Sequence, residues 1–390
     1  MSVTISEAVK YIGVDDKTID LFESQYVVPH GVSYNSYLIF DEKVALMDTV
    51  DARGMEQWEK NLLAALDGRK VDYLIVSHLE PDHAGSIGRL VELFPEVTLV
   101  GNAKTFQMLP QFFDELPVDE NHKITVAEGE SLSLGTHTLN FYMAPMVHWP
   151  EVMVTYESSE KILFSADGFG KFGALDYEDP EGWACEARRY YFNIVGKYGA
   201  PVQALLKKAA GLDIRTICPL HGPVLKENLG FYIGKYLTWS SYEPEEDGVL
   251  VACASIHGNT KAAAEKMVEV LRANGASKVV FMDLTRDDMA EAVADAFRYG
   301  KIILAAASYD AGVFPPMEDF LHRLVHKNLQ KRTFGLIENG SWAPCAAKGM
   351  KGILEGMKEV NICENVVSIK STMKDTDVAK MEELAKEILA

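Results

Sequence analysis

The chain has 390 residues, 57 acidic against 38 basic side chains, a net charge of -19 and 48% apolar content. That length is more than one typical hydrophobic core serves, so two domains are expected of an otherwise ordinary globular composition. An acidic balance with no cluster of Lys and Arg excludes a phosphate-backbone surface, and with it nucleic-acid binding.

The N-terminal stretch Met1-Ser2-Val3-Thr4-Ile5-Ser6-Glu7 has neither a basic start nor an apolar run. No later run approaches the roughly 18 apolar residues of a membrane span, which predicts a cytoplasmic protein without a membrane partner. Short strand-like runs follow at 36–40, 44–47, 71–76, 97–100 and 139–142, with helical candidates at 54–65 and 86–93 between them. The pattern is α/β with room for antiparallel pairs. Five cysteines, Cys185, Cys218, Cys253, Cys345 and Cys363, are odd in number and widely spaced, which fits reduced thiols. No Cys-x-x-Cys pair exists, so this chain alone builds neither a rubredoxin-type iron centre nor an iron–sulfur cluster.

The polar, proline-containing stretch Tyr242-Glu243-Pro244-Glu245-Glu246-Asp247-Gly248 reads as a linker and divides the chain into domains 1–247 and 248–390. Beyond it, strands at 249–254, 279–282, 301–307, 333–337 and 366–369 alternate with helices at 261–273, 287–297, 316–326, 346–357 and 376–389. Such βα alternation predicts a doubly wound parallel sheet.

Two sets of residues carry chemistry. Directly after the apolar run 71–76 comes His78-Leu79-Glu80-Pro81-Asp82-His83, which places four metal-competent side chains on one loop at a strand end. Imidazole mixed with carboxylate suits a transition metal better than calcium or a structural zinc site. Further candidates at strand ends are His148 in Pro145-Met146-Val147-His148-Trp149-Pro150, Asp167 in Phe164-Ser165-Ala166-Asp167-Gly168, and His221 in Cys218-Pro219-Leu220-His221-Gly222.

In the second domain the first βα loop, Ser255-Ile256-His257-Gly258-Asn259-Thr260, offers hydroxyls and a glycine at the start of a helix, a combination suited to a phosphate. This loop carries neither a Walker-type Lys nor Gly-x-Gly-x-x-Gly, so a monophosphate fits better than a pyrophosphate. The loops Ser308-Tyr309-Asp310-Ala311-Gly312 and Asn339-Gly340-Ser341-Trp342 follow strands three and four, and Tyr309 and Trp342 are the candidates for stacking on a ring. The alternative is a helix cap with two unrelated loop aromatics.

These loops resemble the three loops with which flavodoxin-like domains bind FMN, with His257 where Thr is common and Asp310 where a small hydroxyl residue is common. The first-domain motifs resemble the metallo-β-lactamase-like fold, an αββα sandwich, whose zinc hydrolases carry His-x-His-x-Asp-His. Here Glu80 stands in place of the second His, which adds negative charge and oxygen donation and favours iron able to reach the ferric state. Taken with Tyr34-Asn35-Ser36-Tyr37-Leu38-Ile39, Ser165-Ala166-Asp167-Gly168-Phe169-Gly170 and His221-Gly222-Pro223, the chain resembles the flavodiiron proteins, or A-type flavoproteins.

That resemblance implies a diiron centre and FMN. His78, Glu80 and His148 would bind one iron, Asp82, His83 and His221 the other, and Asp167 would bridge them. It also implies reduction of dioxygen to water, of nitric oxide to nitrous oxide, or of both. Because the chain ends without an added rubredoxin or flavin-reductase domain, the expected electron donor is external, a rubredoxin or a reduced deazaflavin. A head-to-tail homodimer, or a dimer of dimers, would bring the FMN of one subunit to the irons of another. The competing reading is a zinc hydrolase of the glyoxalase II or lactamase type with a fused flavodoxin domain, against which Glu80 weighs. His30, His122, His137, His322 and His326 read as solvated or structural.

Overall fold

The computed structural model describes residues 5–114 and 116–390, so the first four residues of the N-terminal stretch read above lie outside it. Two compact units form, Met1–Tyr191 with Ala200–Tyr236, and Phe192–Gly199 with Leu237–Ala390.

The first unit is built on two sheets. One has six strands in the order Val9–Tyr11, Tyr37–Phe40, Val44–Met47, Tyr73–Ile75, Thr98–Gly101, Lys123–Thr125. Its first three strands are antiparallel neighbours and the rest run parallel. The other has five strands, Ser131–Ser133, Thr138–Met143, Met153–Glu157, Ile162–Phe164 and Thr216–Cys218, and only the last pair is parallel. Alternate side chains of each sheet meet in one core, where Ile39, Met47, Ile75 and Val100 pack with Phe141, Met153, Ile162 and Phe164. Helices cover both outer faces. On Met55–Leu66 the buried Trp58 donates from Nε1 to Ser36 Oγ at 3.1 Å. On Gly199–Ala209, Val202 and Leu206 line an apolar pocket with Val154 and Leu163.

Register brings the chemistry to one end. Met47 sits level with Ile75, and Phe164 with Cys218, so two parallel pairs, one in each sheet, finish together and release their loops side by side.

The second unit has the strand order Val279–Asp283, Glu246–Ala254, Tyr299–Tyr309, Arg332–Asn339, with Val360–Ile362 and Val367–Ile369 both beyond the last. All of these pairings are parallel, which gives the 2-1-3-4-5 order of a flavodoxin-like sheet. The fifth strand is in two pieces, of which the sequence pattern marks only the second. The piece Val360–Ile362 is short and partly exposed, and so lacks an apolar signature.

The stretch 242–248, expected as a linker, is instead partly built into this unit. Its polar side chains misled because they face polar partners: Glu246 pairs with Arg298 at 2.8 Å and already lies in the strand, while the buried Tyr242 hydroxyl donates to Gly196 O at 3.0 Å. Beside it, the buried guanidinium of Arg332 forms no ion pair among the described residues. It donates to the carbonyls of Ala296 (3.1 Å), Tyr242 (2.8 Å), Gln330 (2.9 Å) and Lys331 (3.1 Å), and also to that of Phe297. Hydrogen bonds from a charged donor contribute more than neutral ones, and buried carbonyls left bare cost more still. Arg332→Met should therefore lower unfolding free energy by about 3 kcal/mol or more in urea titration; a change within about 0.5 kcal/mol, the range of neutral surface substitutions, would contradict that role.

Candidate functional site

The loop after strand Tyr73–Ile75 stays anchored, since Val76 N–H donates to Val100 O at 2.9 Å and Ser77 N–H to Asp48 Oδ1 at 2.7 Å. Pro81 then opens a short turn of helix, Pro81–Ala84, that carries Asp82 and His83. His148 arrives on the turn after Thr138–Met143, Asp167 just past Ile162–Phe164, and His221 just past Thr216–Cys218. Loops from both sheets thus converge.

Two groups result: His78, Glu80, His148 and Asp167, and Asp82, His83 and His221, each able to offer ligand atoms within 4.8 Å of one another. In the first, His148 Nε2 and His78 Nε2 lie 3.0 and 3.2 Å from Glu80 Oε2, and 3.4 and 3.3 Å from Asp167 Oδ2. In the second, His221 Nε2 and His83 Nε2 lie 3.2 and 3.4 Å from Asp82 Oδ2, and 3.8 and 3.2 Å from Asp167 Oδ1. Asp167 therefore turns one oxygen to each group.

The electrostatics follow from burial against mutual attraction. Burial opposes charge on His78, yet the Asp167 charge and the Glu151 and Glu80 contacts raise its pKa well above the imidazole range. His83 is likewise raised, and His148 is raised to about 9, against burial, by Asp167 and Glu80. The same contacts hold Asp167 and Glu80 well below the carboxylate range in spite of burial. Even so, both oxygens of Asp82 and of Asp167 and both ring nitrogens of His83 are buried without a hydrogen-bond partner among the described residues. Orphaned lone pairs at such a density are what metal coordination would satisfy. The donors are all nitrogen and oxygen, so the set suits a first-row metal with octahedral leanings more than a thiolate-type zinc site.

Several residues outside the expected set orient it. Glu151, three positions after His148, accepts from His78 Nδ1 at 2.8 Å and from Leu79 N–H at 2.9 Å. Ser33 O accepts from His221 Nδ1 at 2.7 Å, and the Asn35 amide donates to Pro219 O and Gly222 O, at 2.8 Å each. The Asn35 motif was visible in sequence; nothing there marked Glu151 or a backbone carbonyl as an orienter. His30 is exposed and stacks on Tyr177 at 3.7 Å, while His137, read as solvated or structural, is buried beside Glu157 at 3.2 Å.

In the second unit the three expected loops leave adjacent strands at one level, since Ala254 is paired with Ala306, and Ala307 with Asn339. Gly258, at φ +94°, starts helix Asn259–Ala273 without a side-chain cap, which leaves its first N–H groups available beside Ser255, Asn259 and the buried Thr260. Ser255 Oγ accepts from Gly258 N–H at 3.1 Å; Ile256 and His257 are exposed. Tyr309 rides on a tight hairpin, paired with Gly312 across Asp310 and Ala311 at φ +47° and +60°. It is 45% exposed and Trp342 is 89% exposed, unusually bare for aromatic rings.

Two predicted contact residues have other work. Ser308 Oγ accepts from Cys345 and Ala346 N–H at 2.9 and 3.2 Å and caps the next helix, and the Asn339 amide clamps Ser371 through its O at 2.8 Å and its N–H at 2.9 Å. Ser341 Oγ lies 2.6 Å from Ser371 Oγ, so the loop after the fifth strand, absent from the sequence reading, belongs to this edge. A Cβ on Gly340 would stand 2.9 Å from Pro344 Cα, which explains the glycine there.

The architecture is a metallo-β-lactamase-like domain joined to a flavodoxin-like one. A family model described as ODP family beta lactamase matches residues 32–222. A nitric oxide reductase of Moorella thermoacetica is 29% identical over 403 residues, covering 100% of this chain and 98% of its own. The structure of a rubredoxin oxygen:oxidoreductase from Desulfovibrio gigas superposes with a TM-score of 0.92 at 25% identity, covering 100% and 98% of the two chains. That of a flavodiiron protein from Giardia intestinalis shares the fold at a TM-score of 0.88 and 23% identity, over 100% and 97%. Over its whole length the chain is thus similar to flavodiiron proteins.

Raised imidazole pKa values have a measurable consequence. Without metal, His148 is protonated below about pH 9, and a metal needs the neutral ring, so uptake near neutrality expels protons. Metal affinity should rise with pH from neutrality through about 9, with a proton release visible as buffer-dependent calorimetric heat. Affinity flat across that window would contradict the assigned protonation.

Proposed function

We propose that the first domain holds two iron ions and the second holds FMN, and that the protein reduces dioxygen to water, nitric oxide to nitrous oxide, or both, with electrons from an external donor. The observation that carries this is Asp167, which presents Oδ2 to one imidazole-carboxylate group and Oδ1 to a second. His78, Glu80 and His148 would hold one ion, Asp82, His83 and His221 the other, with Asp167 between. When bound, the two ions supply redox chemistry to a small oxidant and the flavin supplies the link between the donor and the irons.

The chain's own residues then have definite tasks. Glu80 adds a second carboxylate beside Asp167 in the first group, which favours a higher oxidation state there. Burial of His78, Asp167 and His83 keeps bulk water from competing for the ligand atoms. The Tyr190 hydroxyl, which burial and the charges of Asp167, Asp82 and Glu80 keep protonated, holds a proton next to the site, its ring 5.4 Å from that of His221. Ser255, Asn259 and Thr260, with the uncapped helix N-terminus, would take the FMN phosphate, and Tyr309 and Trp342 would cover its ring.

The diiron half would lie in the first unit and the flavin half in the second, with the division falling before the strand that begins at Glu246. A head-to-tail dimer and a rubredoxin or reduced deazaflavin as donor complete the reading, in a cytoplasmic setting. Among the described residues no helix is long and apolar enough to cross a membrane. The zinc-hydrolase alternative has only the fold in its favour.

Purified protein should contain iron and FMN and consume either gas over many turnovers. His148→Asn should lower iron content and reduce turnover by roughly a hundredfold or more, and paired Ser255→Ala and Thr260→Ala should release the yellow chromophore. Zinc without iron, together with thioester or lactam hydrolysis, would overturn the proposal.

A further inference from the structure

The two ligand groups look alike in type and differ in what stands behind them. In the first, the far nitrogen of His78 meets a carboxylate: Glu151 Oε1 lies 2.8 Å from Nδ1, and the residue is fully buried. Leu79 N–H donates to the same oxygen at 2.9 Å, and Asn102 holds the Glu151 carbonyl at 2.6 Å, so its place is fixed from both sides. Its Oε2 is buried and has no partner. In the second group, His221 Nδ1 meets a neutral backbone carbonyl, Ser33 O, at 2.7 Å, and His83 Nδ1 has no hydrogen-bond partner among the described residues. Asp48, the other buried carboxylate nearby, accepts from Ser77 N–H and hydrogen bonds no imidazole.

We propose that Glu151 is a positioning residue that makes the two metal positions unequal. It fixes the tautomer of His78 that points Nε2 at the ligand group, and its negative charge strengthens that ring as a donor. The position formed by His78, Glu80 and His148 is therefore the tighter and the more electron-rich one. With Glu80 and its half of Asp167 the first group has three carboxylates acting on it, whereas the second has Asp82 and the other half of Asp167. A ligand imidazole backed by a carboxylate typically binds metal ten- to a hundredfold more tightly than one without. This rests on the diiron reading, and its test separates the two.

Metal-free protein is titrated anaerobically with Co(II), whose absorption reports each site. Wild type should take up two ions in two distinguishable steps, and failure to bind two would sink the diiron reading itself. Glu151→Gln, which keeps the shape and an acceptor oxygen, should weaken the tighter step by ten- to a hundredfold and leave the weaker step unchanged. Both steps within twofold of wild type, or both weakened equally, would overturn the inference while the diiron reading stands. Glu151→Asp, which keeps the charge, should lose less than the Gln variant; an equal loss would contradict the electrostatic role. Should the Gln variant not fold, His221→Asn, with the first group intact, should bind its remaining Co(II) at least tenfold more tightly than His148→Asn, and the reverse order would overturn the proposal.

Discussion

Asp167 is the constraint on which the rest depends. A fully buried carboxylate normally needs protein donors or it changes its protonation state, yet both of its oxygens are without hydrogen-bond partners and face four imidazole rings. Its neighbours Asp82 and His83 are in the same condition. Such a cluster is destabilising as bare protein, because imidazoles charged to compensate it are themselves buried. The fold tolerates it in return for a site whose lone pairs all point inward, and folding and metal binding become coupled.

What delivers that cluster is strand register. Met47 level with Ile75 and Phe164 level with Cys218 make one parallel pair of each sheet end at the same height, so Asp48, His78, Asp167 and His221 leave the core together. The second unit uses the same device with a different chemistry. Three parallel strands run level at Ala254, Ala306 and Glu338, and their loops gather hydroxyls, an uncapped helix start and two bare aromatic rings at one edge. In both units packing sets the strand ends, and the loops beyond them carry the chemistry.

Much of this was legible in the sequence because it is written in short-range patterns. The βα alternation after residue 248 needs only period and turn residues, and the ligand types at 78–83, 148, 167 and 221 stand directly after apolar runs. What was not legible depends on partners far apart in the chain. The stretch 242–248 is polar, but its polarity is answered by Arg298, by Arg332 and by the carbonyl of Gly196. Ser308 also accepts from the N–H groups of Cys345 and Ala346, partners that lie far from it in the chain. Glu151 looks like any surface glutamate until the fold puts it behind His78.

Chemically, the two halves need each other. An imidazole-carboxylate cluster that favours oxidisable iron has use for a source of single electrons, and a flavin held at the edge with exposed aromatics, as proposed, would have use for an acceptor. The most direct test reduces the protein fully without air, mixes it separately with dioxygen and with nitric oxide, and follows flavin reoxidation in iron-loaded and zinc-loaded samples. Fast reoxidation by at least one gas that requires iron would bear out the account. Equal rates with iron and with zinc would contradict it, because electrons would then leave the flavin without passing through the metal cluster.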